Sequence, residues 1–122
     1  VTRTILIAML AIAACDKGPA DPRAPILDAW KGGGLAPSAL EVAKTDVGTD
    51  CKAGVLNAVE LMLCVFPTPA DATAAHERGL AWVGDATGAA KVSGSVLVVV
   101  ADRRKVDPSG KTINQLLKLL PE

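Results

Sequence analysis

The side chains that could do chemistry are few in this 122-residue chain, which holds three cysteines and one histidine. Cys51 and Cys64 could form a redox couple or a structural bridge. Redox pairs are usually close in sequence, as in Cys-x-x-Cys at a helix start that stabilises the thiolate. Here twelve residues separate them on segments that read as strands, which favours a structural bridge. His76 reads as mid-helix, beside Glu77 and Arg78. A zinc site needs further ligands at suitable spacing, and none lies near, so His76 is expected on a solvated helix face. No Gly-x-Ser-x-Gly elbow presents a serine to that histidine, and Ser93-Gly94-Ser95 reads as a turn. Pro108-Ser109-Gly110-Lys111-Thr112 follows an apolar strand as a phosphate-binding loop would. That motif needs glycine at position 105, where the chain has Lys105. Gly110 and Lys111 therefore read as a turn and a helix start, and no nucleotide is expected. The densest charge cluster is Asp102-Arg103-Arg104-Lys105, with Asp107 and Lys111 nearby. A basic loop after a buried strand could meet anionic headgroups or an acidic partner, although a solvated loop is the simpler reading.

The N-terminus carries a different kind of pattern. Arg3 gives one positive charge, Ile5 to Ile12 form a continuous apolar run, and small residues follow. These are the three regions of a secretory signal. The run is far shorter than the roughly 20 residues a spanning helix needs. Val1 reads as an alternative start, translated as Met. Ile12-Ala13-Ala14-Cys15 resembles the lipobox of bacterial lipoproteins at all four positions. The resemblance covers only the first fifteen residues and is otherwise closest to small Gram-negative envelope lipoproteins. It implies diacylglyceryl transfer to the Cys15 sulfur, cleavage after Ala14, and an envelope protein facing the periplasm or cell exterior. Asp16 follows, a residue that retains such proteins in the inner membrane of some bacteria. If Cys15 is lipidated, Cys51 and Cys64 remain as an even pair in an oxidising compartment, which favours their disulfide.

Composition adds exclusions. Thirteen basic side chains less Arg3 leave twelve against thirteen acidic ones, a net charge near −1 for the mature chain. That balance gives no reason to expect nucleic acid. Trp30, Trp82 and Phe66 are the only aromatics, too few for a stacking platform. Cofactors and metals are likewise not expected.

The elements that must position these groups follow from patterning. Residues 15–25 hold Pro19, Pro22 and Pro25 without apolar periodicity and read as the lipidated cysteine and a tether. Residues 26–122 read as one domain. A helix is expected over Pro25 to Leu35, ended by Gly32-Gly33-Gly34, and a short edge strand over Ala39 to Ala43. Cys51 to Leu56 and Val59 to Phe66 read as a hairpin turning at Asn57-Ala58. Opposing positions then sum to 115, which sets Cys51 beside Cys64 at a close, non-hydrogen-bonded pair. In that register Leu56, Val59, Leu61 and Leu63 face the helices, and the bridge lies outside the main core. Ala58 suits the required positive φ poorly.

Thr68-Pro69-Ala70-Asp71 reads as a helix start. Ala72, Ala75, Gly79 and Val83 form its small-residue stripe. Ala89 to Val92 and Ser95 to Ala101 are expected as strands about a Ser93-Gly94 turn. The continuous run Val96 to Val100 implies a strand buried on both faces. Thr112-x-x-Gln115 has the capping-box spacing, with Ile113, Leu116, Leu117 and Leu120 lining a last helix. The order predicts an α+β fold: a mostly antiparallel sheet with helices on one face. The function expected is a non-enzymatic envelope binding module, with the membrane and an envelope protein as partners. Arg103, Arg104, Lys105 and Lys111 form the candidate interaction loop. The alternative is a thiol–disulfide protein using Cys51 and Cys64.

Overall fold

A computed structural model describes residues 20–122. Residues 1–19, which hold the signal segment, Cys15 and the first part of the tether, lie outside the described residues. The remaining chain forms α1 (Ala24–Gly32), β1 (Glu41–Ala43), β2 (Cys51–Leu56), β3 (Val59–Val65), α2 (Pro69–Ala74), α3 (His76–Val83), β4 (Thr87–Ser93), β5 (Val96–Asp102) and α4 (Lys111–Lys118). The strands make one sheet in the order β1-β2-β3-β5-β4, with every neighbouring pair antiparallel. The α+β class and the antiparallel sheet are as the pattern predicts.

The β2–β3 register follows from its turn. Asn57 and Ala58 take φ of 52° and 68°, the left-handed values that let a two-residue turn match the strand twist. Cys51 then opposes Cys64 and Leu56 opposes Val59, with sums of 115 throughout. The β4–β5 turn falls one position later than expected. Ser93 pairs with Val96, so Gly94 and Ser95 make the turn and Gly94 supplies the positive φ of 62°. Glycine takes the first turn place because it adopts that conformation without a Cβ clash.

Strand residues alternate between two cores. Leu56, Val59, Leu61, Leu63, Val96, Val98 and Val100 face Ile26 and Trp30 of α1 and Ile113 and Leu116 of α4. The Trp30 indole Nε1 donates to the Leu116 carbonyl at 2.8 Å, joining the two helices. Cys51, Met62, Cys64, Leu97, Val99 and Ala101 face the other way, against Ala75, Val83 and Val47. Helices therefore cover both faces, where the sequence pattern suggested one. The physical reason is β5 itself: every residue from Val96 to Asp102 is buried, so its side chains need cover on each side. The small-residue stripe supplies the second cover. A Cβ placed on Gly79 would come within 3.0 Å of the Leu97 side chain and 3.1 Å of Val99.

That cover is two helices rather than one. Thr68 caps α2 by accepting from the Asp71 N–H at 3.1 Å. At Ala75 the N–H is shared between the Asp71 and Ala72 carbonyls, 3.2 and 3.1 Å away. This tightens the backbone between α2 and α3.

The domain also begins earlier than the tether reading placed it. Arg23 is only 3% exposed. Its Nε donates to the Leu63 carbonyl at 3.1 Å, and its guanidinium meets the Asp50 carboxylate at 2.7 Å and that of Asp21 at 3.1 Å. A buried guanidinium needs such acceptors on every side. Residues 21–25 are thus part of the folded unit.

Candidate functional site

The basic loop after β5 is pinned by two buried carboxylates in series. Asp102, 3% exposed, accepts the Val106 and Asp107 N–H groups at 2.9 and 2.8 Å. Asp107, 7% exposed, in turn accepts the Thr112 and Ile113 N–H groups, both at 3.1 Å. The Asp107 carboxylate thereby fills the anion position at the start of α4, where amide hydrogens are otherwise unpaired. The expected Thr112–Gln115 capping box is not used. Asp107 reaches those amides from outside the helix, and Gly110, at φ 74°, turns the chain into it.

Within the loop, the four basic residues have different fates. Arg103 folds back over α3, its guanidinium carbon 4.5 Å from the Trp82 ring centre. It donates to the Trp82 and Val83 carbonyls at 2.7 and 3.1 Å and to Glu60 at 3.1 Å. Its hydrogen-bonding capacity is turned inward, so it serves the fold rather than a free binding surface. Arg104, Lys105 and Lys111 are exposed. Only Arg104 lines a groove, a 590 Å³ channel floored by Ala53, Val55 and Ala58 and walled by Trp82 and Glu60. Val55 is 43% exposed there, large for an aliphatic side chain on a sheet face.

The groove exists because α3 covers the β5 side of this face and leaves the end of the β2–β3 hairpin open. Chemically it offers an apolar floor, an indole edge and one cation without an ion pair among the described residues. It can hold an extended segment with an apolar side chain and a negative charge. Sequence reasoning found Arg104 but missed Trp82, Val55 and Glu60 as its neighbours. The hairpin register does put Val55 opposite Glu60, which is the signal that was available.

The other chemical candidates are placed elsewhere. Cys51 and Cys64 are bridged, with Cα atoms 4.0 Å apart. They are 2% and 0% exposed. The bridge lies on the face away from Leu56, Val59, Leu61 and Leu63, as expected, but that face is itself a second core in which the bridge packs with Met62 and Val47. Val47 caps it because Arg78 of α3 donates to the Val47 carbonyl at 3.1 Å and holds that loop down. His76 is not simply solvated. Its Nε2 is 3.0 Å from the Ala90 carbonyl on the outer edge of β4, and this nitrogen must carry the proton, since a carbonyl only accepts. The Ser93 hydroxyl donates to the Pro121 carbonyl at 2.6 Å and belongs to the fold. Among the described residues no cluster of three or more His, Cys, Asp or Glu side chains could hold a metal ion. No helix among them is long and apolar enough to cross a membrane.

Compared with known proteins, the chain matches no family model, no curated protein and no solved structure.

Proposed function

We propose that this is a lipid-anchored protein of the bacterial envelope, attached to a membrane through Cys15, whose domain binds another envelope component. The observation that carries the binding half is the groove at Val55, Trp82 and Arg104. It combines exposed apolar surface with an unpaired cation on a rigid frame, the composition of a specific contact rather than a solvated loop. Support for the anchor is the Ile12-Ala13-Ala14-Cys15 sequence after an apolar run. The buried, capped disulfide lends nothing to the thiol–disulfide alternative, because a substrate sulfur has no path to it.

The experiment is site-directed photocrosslinking in cells that express the full-length protein. A photoreactive residue at position 55 should give one discrete product, and Arg104→Glu should remove it. The same probe at Lys91, on the opposite edge strand, should give none. Equal products from both positions would overturn the groove as the binding face. For the anchor, Cys15→Ala should abolish lipid labelling and leave the precursor uncleaved. A variant that is still processed and still partitions into membranes would overturn it.

A further inference from the structure

A second groove lies on the other side of the sheet, where the chain enters the domain. It measures 450 Å³ and is lined by Leu27, Leu35, Ala36, Ala39 and Leu40, with Asp21, Lys31 and Lys52 among its charged residues. That volume falls within the range of about 300–1,000 Å³ typical of small-ligand sites. Its walls come from α1 and from the segment that leads into β1.

Building on the lipid anchor proposed above, we infer that this groove holds one of the acyl chains carried by Cys15 whenever the mature protein is off a membrane. Three observations lead there. Most of the lining surface is apolar, so it matches a hydrocarbon chain better than a polar ligand. Asp21 lies on the groove, so the upstream segment starts at its rim rather than across the molecule. Arg23 fixes that start, since its bonds to Leu63 and Asp50 hold residues 21–23 against the sheet.

Cys15 lies six residues before Asp21. Six extended residues span at most about 20 Å, a reach that includes the groove. A tether this short makes docking intramolecular, with an effective concentration on the order of millimolar. Each buried methylene adds its own share of stabilisation, so a chain laid only partly in the groove is held without further contacts. A bilayer buries the whole chain whereas the groove buries part of it. Contact with a membrane therefore draws the chain out, and the groove acts as a travelling cover, not a competitor of the anchor.

The test uses the mature chain from Cys15 onward. Cys51 and Cys64 are bridged, so Cys15 is the one reactive thiol. A sixteen-carbon chain with a nitroxide at its tip is attached there, and amide spectra are recorded without detergent. The expected result is loss of amide intensity at Leu27, Leu35, Ala36 and Leu40, restored when the nitroxide is reduced. Ala36→Glu and Ala39→Glu both alter exposed positions and so spare the fold; each should abolish the localised loss. Loss centred on Val55 and Trp82, loss spread evenly over the surface, or loss that grows with protein concentration would each overturn the inference. Because the chain is attached chemically, the outcome does not depend on whether cells lipidate Cys15. Failure of the anchor itself shows separately, in the Cys15→Ala labelling experiment.

Discussion

The Arg103 guanidinium stands 4.5 Å above the Trp82 ring and also holds the Trp82 carbonyl at 2.7 Å. One side chain thus clamps both the ring and the backbone at the end of α3. Arg103→Ala should lower stability by about 1–2 kcal/mol through the lost stacking and hydrogen bonds. Arg103→Lys should recover little of it, because an ammonium cannot repeat the planar fork. Arg104→Ala, at an exposed side chain with none of the three hydrogen-bond partners of Arg103, should stay within about 0.5 kcal/mol of wild type. Urea melts of the three variants decide the matter; equal losses for Arg103→Ala and Arg104→Ala would refute the division of labour.

The Cys51–Cys64 bridge should behave as structure. The native protein should show no reaction at these thiols until it is both denatured and reduced. The Cys51→Ala, Cys64→Ala double variant should lose about 3 kcal/mol, the value for a loop of this length, and keep its circular dichroism spectrum. Reactive thiols in the native protein would return the redox alternative to consideration.

Asp21 gives the acid limb of stability a specific origin. Burial pulls its carboxyl up, but the Arg23 N–H it accepts, the Arg23 guanidinium and Lys52 together outweigh that and hold it below the ordinary aspartate value. A carboxylate lowered in the folded state stabilises fully above its unfolded pKa of about 3.9, and that share is lost as pH falls through the folded value. Asp21→Asn should therefore melt earlier than wild type at pH 6, and the gap should close as the pH drops below about 4. A gap that is constant down to strong acid would show that Asp21 contributes by shape, not charge.

Ala58 sits at φ 68° in the β2–β3 turn, where a Cβ meets the following carbonyl. Ala58→Gly removes that strain but adds freedom to the unfolded chain, and the balance should be a gain of about 0.5–1 kcal/mol. Thermal melts compare the two directly, and a destabilised glycine variant would mean the turn relaxes its φ in solution.

Local features were legible in the residues themselves. The hairpin register came from the turn and the alternation beside it, the α2 start from Thr68 and Pro69, and the two-faced burial of β5 from its unbroken apolar run. What could not be read depended on partners far along the chain. Arg23 looks like a tether residue because its acceptors, Asp50 and Leu63, are 27 and 40 residues away. The Trp82–Arg103 clamp spans 21 residues, and neither residue type signals the other. For the groove at Val55 and Trp82 the basic cluster was visible, but which of its members would turn inward was not. That choice is set by where α3 ends on the sheet.

The strand order carries a consequence for how the domain assembles. β2–β3 and β4–β5 are each closed by two-residue turns, so both hairpins can form locally and fast. The seam between β3 and β5 pairs Val65 with Val96 and Glu60 with Ala101, contacts that cost loop closure before they return anything. Along that seam successive residues point alternately into the two cores, Leu61, Leu63, Val98 and Val100 into one and Met62, Cys64, Leu97 and Val99 into the other. Parting the seam would open both at once. The two cores therefore share one breaking point, and unfolding that begins at this seam takes both of them together.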